Sequence, residues 1–278
     1  MLKDLPNSIK NKLNNLEKII RSMRSVIVAY SGGTDSTLLL KICKDILQNK
    51  VLAVIAKSET YPQREIRYAI AMAKKLKVPF LLIETEELKN KNFVMNNQDR
   101  CYWCKRELFS KIQEIARENK ISFVADGTNY DDLLDFRPGL KAGEQLNIRR
   151  PLAEAQLTKN EIRQISKRLK LPTWDKPSFA CLASRFPYGK RIGRSELIKI
   201  NAIEEYIMKF EIKQVRVRHF GEIAKIDVLK EDFKKVIKHR EKILAYCKKM
   251  GYIFVVLDIE GYKTGSMNRL LEQNIRSR

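Results

Sequence analysis

The chain has 278 residues, 44% of them hydrophobic, which excludes wholesale disorder and leaves room for two domains with ordinary cores. No run of eighteen apolar residues occurs and the N-terminal stretch MLKDLPNSIKNKLNNLEKII mixes charges throughout, so neither a transmembrane helix nor a signal peptide is expected, and we read a soluble, cytoplasmic protein. Its 55 Lys and Arg against 33 Asp and Glu give a net charge of +22, but the charges are spread without long like-charge blocks, so a general basic bias competes with a nucleic-acid or polyphosphate partner.

Along the chain, SVIVAYS (25–31) is a short apolar, β-branched run suited to a buried parallel strand, and it leads through GGTDS into a helix with Leu39, Ile42, Cys43, Ile46 and Leu47 on one face. VLAVIAKS (51–58) is a second strand, and YPQREIRYAIAMAKKLK a helix opened by Pro62 near its first turn. PFLLIET (79–85) is a third strand, CKRELFSKIQEIARENK a helix, and ISFVADGTN (121–129) a fourth strand. This rhythm predicts an α/β domain with a doubly wound, mostly parallel sheet, whose ligands sit at the carboxyl ends of its strands. PLAEAQLTKNEIRQISKRLKLP (151–172) reads as a helix, with Thr158 and Glu161 spaced as a capping box.

Past TWDKPSFACLASRFPYGKRIG the pattern changes to a helix near 194–210, two strand-like runs, one long helix in EDFKKVIKHREKILAYCKKMG and a strand YIFVVLDI. We place the boundary near 176, with residues 1–175 as the first domain and 176–278 as a smaller α+β domain.

The stretch AYSGGTDSTLLL carries the most chemistry. A strand ends near Ala29 and Tyr30, two glycines allow a tight turn, and a helix follows. Ser31, Gly32, Gly33, Thr34 and Ser36 can turn N–H and hydroxyl donors toward an anion at a helix N-terminus. The stretch is neither a Walker A loop, which ends in Gly-Lys-Ser/Thr, nor a dinucleotide fingerprint. Asp35 beside phosphate calls for a Mg²⁺ between them; the plainer alternative is a glycine turn with Asp35 near the helix cap. The complete Ser-Gly-Gly-x-Asp-Ser resembles the PP-loop of ATP pyrophosphatases, also called adenine nucleotide alpha hydrolase-like proteins, which split ATP to AMP and pyrophosphate to adenylate an oxygen on a substrate. Lys57-Ser58 ends the second strand and Asp126-Gly127-Thr128-Asn129 the fourth, where that fold needs supporting groups. The resemblance implies ATP and Mg²⁺ at Ala29, Ser31, Gly32, Gly33, Thr34, Asp35, Ser36, Lys57, Ser58 and Gly127.

Three further blocks, PLAEAQLTKNEIRQISKRLKLPTWDKPSFACLASRFPYG, VRVRHFGEIAKIDV and LDIEGYKTGSMN, are similar to the LarE family of ATP-dependent sulfur transferases, which build the nickel-pincer nucleotide cofactor. The likeness runs through nearly the whole chain; Thr34 stands where an aliphatic residue is common, and we expect only its backbone to matter. By this resemblance the substrate is pyridinium-3,5-biscarboxylic acid mononucleotide. ATP adenylates a ring carboxylate, and a sulfur nucleophile displaces AMP to leave a thiocarboxylate. The sulfur-bearing cysteine of the family maps onto Cys181, which in single-cysteine members gives up its own sulfur and becomes dehydroalanine.

Cys101 and Cys104, in CYWC, add a second possibility. Together with Cys181, three thiolates could hold a 4Fe–4S cluster whose fourth iron takes a sulfide, an arrangement that some family members resemble. A structural zinc would want a second close pair, Cys43 and Cys247 fall on apolar helical stripes, and a redox pair with Cys101 preceding the helix would leave Cys181 unexplained. The cluster is the reading carried forward, with Cys181 as a sacrificial donor beside it. Arg185 follows Cys181 closely and is expected, with Cys181 and Asp35, among the catalytic residues that the resemblance implies. Arg216 and Arg218 alternate on one strand face, and the resemblance gives those two the substrate phosphate or carboxylates, against a plain solvated basic face. Trp103 either stacks on a pyridinium ring or packs under its helix.

A PP-loop iron–sulfur tRNA thiolase shares the chemistry and suits the charge, but no RNA-binding platform is visible, so nucleic acid is not the expected partner. A non-catalytic carrier is disfavoured by the acid beside the phosphate loop, and a glutamine-dependent ligase by the lack of a glutaminase segment. A sulfide donor and homo-oligomeric assembly are implied by the family likeness alone.

Overall fold

The computed structural model describes residues 5–263, apart from 136, 178 and 179, together with 265–269. The chain divides into two compact units, Met1–Glu87 with Cys101–Phe179, and Leu88–Arg100 with Ala180–Arg278. The second unit therefore joins a short segment from the first half of the chain to the residues from 180 onward.

The first unit opens with α1 (Asn7–Met23), whose Ile9, Leu13, Leu16, Ile20 and Met23 recur at helical spacing and are buried as one stripe. There follow β1 (Val26–Ala29), α2 (Thr34–Leu47), β2 (Val51–Lys57), α3 (Gln63–Lys75) and β3 (Phe80–Glu84). A one-turn α4 (Lys91–Val94) lies in the second unit's segment, which leads into α5 (Arg100–Glu118). β4 (Phe123–Asp126), α6 (Gly139–Gln145), α7 (Pro151–Glu154) and α8 (Lys159–Arg168) complete the unit. Among the described residues its sheet has four strands in the order β3-β2-β1-β4, all parallel, with Val26 opposite both Val51 and Phe123.

Strand alternation sends Val26 and Val28 into a core with Leu16 and Ile20 of α1, Leu39 and Leu40 of α2 and Ile162 and Ile165 of α8. Ile27, between them, faces Leu108, Phe109 and Ile112 of α5 on the other side. Each fully buried aliphatic side chain of this kind contributes about 1.5–3 kcal/mol. The central strand β1 is thus covered on both faces, as a parallel sheet requires, while the edge strand β3 leaves Leu81 and Leu82 exposed. The chain runs outward from β1 to β3 and then returns to place β4 on the other side of β1, so the direction of winding reverses between β1 and β4, and the crevice for a ligand opens at their carboxyl ends.

Two boundaries differ from the pattern reading. α5 starts at Arg100, so Cys101 lies within its first turn instead of ahead of it. The 151–172 stretch is two helices, α7 and α8, because the chain turns at Gln156, with φ 57°, and restarts at the capping box of Thr158 and Glu161.

In the second unit, α9 (Arg194–Met208) buries Leu197, Ile200, Ile203 and Ile207 and packs on β5 (Val215–Phe220). β5 and β6 (Ile223–Val228) form an antiparallel hairpin whose turn carries Gly221 at φ 66°. α10 (Phe233–Lys238) and α11 (Arg240–Lys249) cross over to β7 (Phe254–Leu257), parallel to β6. The single long helix expected at 231–251 is broken at His239, whose backbone sits at φ −105°, ψ 14° while its ring stacks on Phe210 with centroids 4.3 Å apart.

Gly127, just past β4, lies so close to the first turn of α2 that a Cβ there would sit 2.8 Å from the Ser36 nitrogen and 2.9 Å from its Cα. Backbone cannot step aside cheaply, so Gly127→Ala is expected to lower stability by about 1–3 kcal/mol in urea titration. An unchanged unfolding midpoint would contradict the close packing of β4 on α2.

Candidate active site

The loop between β1 and α2 occupies the crevice. Ala29 ends β1, opposite Val54 on one side and Asp126 on the other, and the Tyr30 N–H donates to the Val54 carbonyl. Gly32 has φ 70°, and a Cβ on it would collide with Ala69 of α3 at 2.8 Å, so both conformation and contact demand glycine here. Gly33 caps α2 in an extended conformation without a side-chain cap bond, which leaves the first-turn N–H groups directed out of the helix end. Ser31 and Ser36 meet through their hydroxyls at 3.0 Å across the loop. Thr34 does more than present its backbone: its hydroxyl donates to the Thr173 carbonyl at 2.8 Å and ties the loop to a distant part of the chain.

Asp35, in the first turn of α2, receives the ammonium of Lys159 on both carboxylate oxygens at 2.7 Å and the amide of Asn129 at 3.4 Å. Lys159 is the first residue of α8 and is placed by the Thr158–Glu161 capping box. The chemistry of an oxygen donor at a helix start beside the loop suits a Mg²⁺, which would have to share the Asp35 carboxylate with Lys159. Below the loop, Tyr30 bonds Thr37 at 3.1 Å, and burial pushes its hydroxyl pKa up to about 12. At the end of β2, Lys57 is exposed and reaches Glu84 at 3.3 Å, while Ser58 is buried and bonds Thr60 at 2.8 Å.

At the start of α5, Cys101 is exposed and Cys104 half-buried, and three residues apart on a helix they share one side. The Cys104 thiol donates to the Glu87 carboxylate at 3.7 Å, with the Tyr61 hydroxyl 3.9 Å away. Glu87 is fully buried, and burial raises its pKa. Trp103 sits edge-on to Tyr102 at 5.1 Å and carries the guanidinium of Arg106 at 5.8 Å from its ring centre. Cys43 and Cys247 lie in cores, where burial pushes their thiols to about 12 and about 11. Among the described residues no group of three or more His, Cys, Asp or Glu is gathered to hold a metal ion.

In the second unit, Cys181 precedes a 3₁₀ turn (Leu182–Arg185). Arg185 is wholly buried. It forms a two-pronged pair with Glu204 of α9 at 2.8 and 2.9 Å, and turns its remaining nitrogen onto the carbonyls of Ala180 at 2.8 Å and Cys181 at 3.1 Å. Glu204 also accepts the Val217 N–H of β5 at 3.0 Å, so one carboxylate fastens the Cys181 turn to helix and sheet together. Arg218 pairs with Asp227 and donates to the Ser184 carbonyl, both at 2.9 Å. Arg216 lies over the Tyr262 ring at 5.3 Å, and burial, then the charge of Arg185, bring its pKa down to about 10. All three arginines are buried; Arg185 donates to the Cys181 carbonyl and Arg218 to the Ser184 carbonyl, at the two ends of the turn. Arg100, the first residue of α5, donates to the Ala183 carbonyl at 3.1 Å. His219 bonds Tyr252 at 3.0 Å and, like His239, is engaged in packing.

Sequence reasoning names the loop, Lys57, Ser58, Gly127, the cysteines and the arginines. It misses Lys159, Arg100, Glu87 and the partner role of Glu204, and the capping box that fixes Lys159 is the one local signal for any of them.

A Ser-Gly-Gly-Thr-Asp-Ser turn from strand to helix, at the point where a parallel sheet reverses its winding, defines a PP-loop ATP-using domain; the profile of the NAD synthase family matches residues 1–120. The whole chain is 31% identical over 265 residues, 95% of its length and 96% of the relative's, to the pyridinium-3,5-bisthiocarboxylic acid mononucleotide synthase of Lactiplantibacillus plantarum. It is 38% identical to an uncharacterized protein of Synechocystis sp., covering 95% of this chain and 99% of that one. A component of the glutamine-hydrolyzing GMP synthase of Saccharolobus islandicus is 26% identical over 62% of this chain and 48% of its own length. The chain belongs to the family of pyridinium-3,5-bisthiocarboxylic acid mononucleotide synthases, the LarE family, and is an ATP-using sulfurtransferase. No helix among the described residues is long and apolar enough to cross a membrane.

Glu204→Ala would leave Arg185 charged, buried and unpaired, a change that costs about 3–5 kcal/mol. We expect a matching fall in urea stability, with Glu204→Gln intermediate because it keeps one acceptor for the guanidinium. Wild-type stability in Glu204→Ala would show that the pair does not organise the unit.

Proposed function

We propose that this protein adenylates a carboxylate of pyridinium-3,5-biscarboxylic acid mononucleotide with ATP and replaces the activated oxygen with sulfur, for nickel-pincer cofactor synthesis. A carboxylate is a poor electrophile until its oxygen becomes a good leaving group. Attack of the carboxylate oxygen on the α-phosphorus forms the acyl adenylate and releases pyrophosphate. A sulfur nucleophile then bonds the acyl carbon, and AMP leaves with the former carboxylate oxygen.

The loop residues Ser31, Gly32, Gly33, Thr34 and Ser36 would receive the phosphates on N–H and hydroxyl donors, with Lys159 close enough to share the negative charge. Mg²⁺, with which PP-loop enzymes use ATP, would be held at Asp35, and when bound it supplies charge against the departing pyrophosphate. Lys57, Ser58 and Gly127 line the strand ends beside the loop. The family likeness gives Arg216 and Arg218 to anionic groups of the mononucleotide, a role for which both would have to be uncovered from their buried places in β5 and Arg218 shared with Asp227. Trp103 could stack on the ring, though Arg106 already covers that indole in part.

The observation that carries the sulfur chemistry is the anchoring of the Cys181 turn. Arg185 holds the Cys181 carbonyl, and Arg100 bonds Ala183 two residues further on. In the cluster reading Cys101 and Cys104, thiols on one helical face, would give two corners and Cys181 the third, which the family likeness supports and no gathered set of ligands among the described residues yet shows. A 4Fe–4S cluster held by the three would supply an iron open to sulfide from an external donor, which would make sulfur transfer catalytic. We place the enzyme in the reducing cytoplasm, where such thiols persist, and expect it to assemble as a homo-oligomer.

Protein purified without oxygen, wild type beside Cys101→Ser and Cys181→Ser, is expected to carry about four irons and matching acid-labile sulfide per chain, lost in both variants. Iron-free wild type after reconstitution would sink the cluster; conversion of Cys181 to dehydroalanine during turnover would then identify it as a sacrificial donor. Absence of any thiocarboxylate product from ATP, sulfide and the mononucleotide would overturn the substrate.

A further inference from the structure

Outside the residues already assigned, one buried cation touches the nucleotide loop directly. Lys176 is mostly buried; its ammonium donates to the Gly32 carbonyl at 3.0 Å, pairs with Glu65 at 2.8 Å and lies 3.8 Å from the centre of the Tyr68 ring. Glu65 and Tyr68 belong to α3, the same helix whose Ala69 leaves room for no more than a glycine at position 32. The loop backbone is therefore gripped between α3 and Lys176.

We propose that Lys176 is a positioning residue for ATP, fixing the Gly32–Gly33 peptide so that the Gly33 N–H faces the phosphates. In a trans peptide the carbonyl and the following N–H point in opposite directions, so holding the Gly32 carbonyl toward Lys176 turns the Gly33 N–H to the other side of the loop. That N–H has only a long contact, 3.4 Å, with the Ser31 hydroxyl, a partner that an anionic oxygen can replace. A peptide between two glycines can flip at little steric cost, because neither end carries a Cβ to oppose positive φ. The two glycines therefore leave the loop free to turn tightly, and the charged donor removes the freedom to turn the wrong way. Glu65 neutralises the ammonium in its buried position and holds it in line with the carbonyl.

This inference rests on the reading that the loop binds ATP phosphates, and the test separates the two. ATP affinity is measured by calorimetry on the full chain for wild type, Lys176→Met, Lys176→Arg and Glu65→Gln, with binding of the pyridinium mononucleotide and the urea midpoint of the nucleotide-free protein alongside. Lys176→Met is expected to bind ATP about tenfold more weakly with mononucleotide binding unchanged. Lys176→Arg, which can still donate to the Gly32 carbonyl, is expected to recover most of that loss. Glu65→Gln should show the same selective weakening at smaller size, and it decides the matter if Lys176→Met does not fold. A lowered midpoint with unchanged ATP affinity would mean that Lys176 only braces the fold and would overturn the proposal. Wild type that binds no ATP would instead refute the nucleotide reading and take the proposal with it.

Discussion

The site depends on how closely backbone can approach backbone around one turn. Between β1 and α2 the chain must reverse within a few residues while β4 presses on the first turn of α2 and α3 presses on the loop itself. Both approaches are closer than a Cβ allows: Gly127 faces Ser36, and Gly32 faces Ala69. With side chains removed at those two contacts, the first-turn N–H groups of α2, the Ser31 and Ser36 hydroxyls and the Asp35 carboxylate come to one place at the strand ends. The order β3-β2-β1-β4 supplies the crevice above them, since the winding reverses beside β1. Fold and chemistry meet in this turn, where hydrophobic burial of β1 on both faces holds the platform rigid.

The second unit is organised by charge where the first is organised by apolar packing. Arg185 and Glu204 are both fully buried, which is costly unless every donor and acceptor is used. Here the guanidinium spends two nitrogens on the carboxylate and one on the backbone of the Cys181 turn, while Glu204 also accepts from β5. Such an arrangement adds little net stability over apolar packing, but it specifies a single position for the turn. The sulfur role we propose for Cys181 would gain from that fixity, because effective concentration depends on orientation. Arg218, reaching Ser184 while paired with Asp227, fastens the other end of the same turn.

Much of the first unit is legible because its signals are local. Short apolar β-branched runs, a Ser-Gly-Gly turn and the Thr158–Glu161 box each express a conformational preference within a few residues, and strands, loop and cap lie where those preferences put them. The stripe of α1 is equally regular, yet the N-terminal stretch yields only the lack of a targeting signal when its charges alone are weighed. What escapes is long-range pairing of ordinary charges. Lys159 meets Asp35 across 124 positions, and Lys176 meets Gly32 across 144; the capping box marks where Lys159 begins its helix but not the carboxylate it reaches, and Lys176 has no local signal at all. The pairing of Arg185 with Glu204 is equally hidden, since a buried arginine cannot be recognised without knowing where its carboxylate will come from. Cys101 reads as preceding its helix because the apolar periodicity of α5 begins only later, at Leu108.

The central claim is that ATP activates a carboxylate oxygen of the substrate, which then departs with AMP. The most direct measurement uses pyridinium mononucleotide carrying heavy oxygen in its ring carboxylates, with the AMP formed during a single round of sulfur insertion analysed by mass spectrometry. Transfer of one heavy oxygen to AMP for each thiocarboxylate made is the expected result, because the bond from substrate oxygen to phosphorus survives when sulfur displaces the adenylate. Thiocarboxylate accompanied by unlabelled AMP would contradict the account, since the oxygen would then have left by another route.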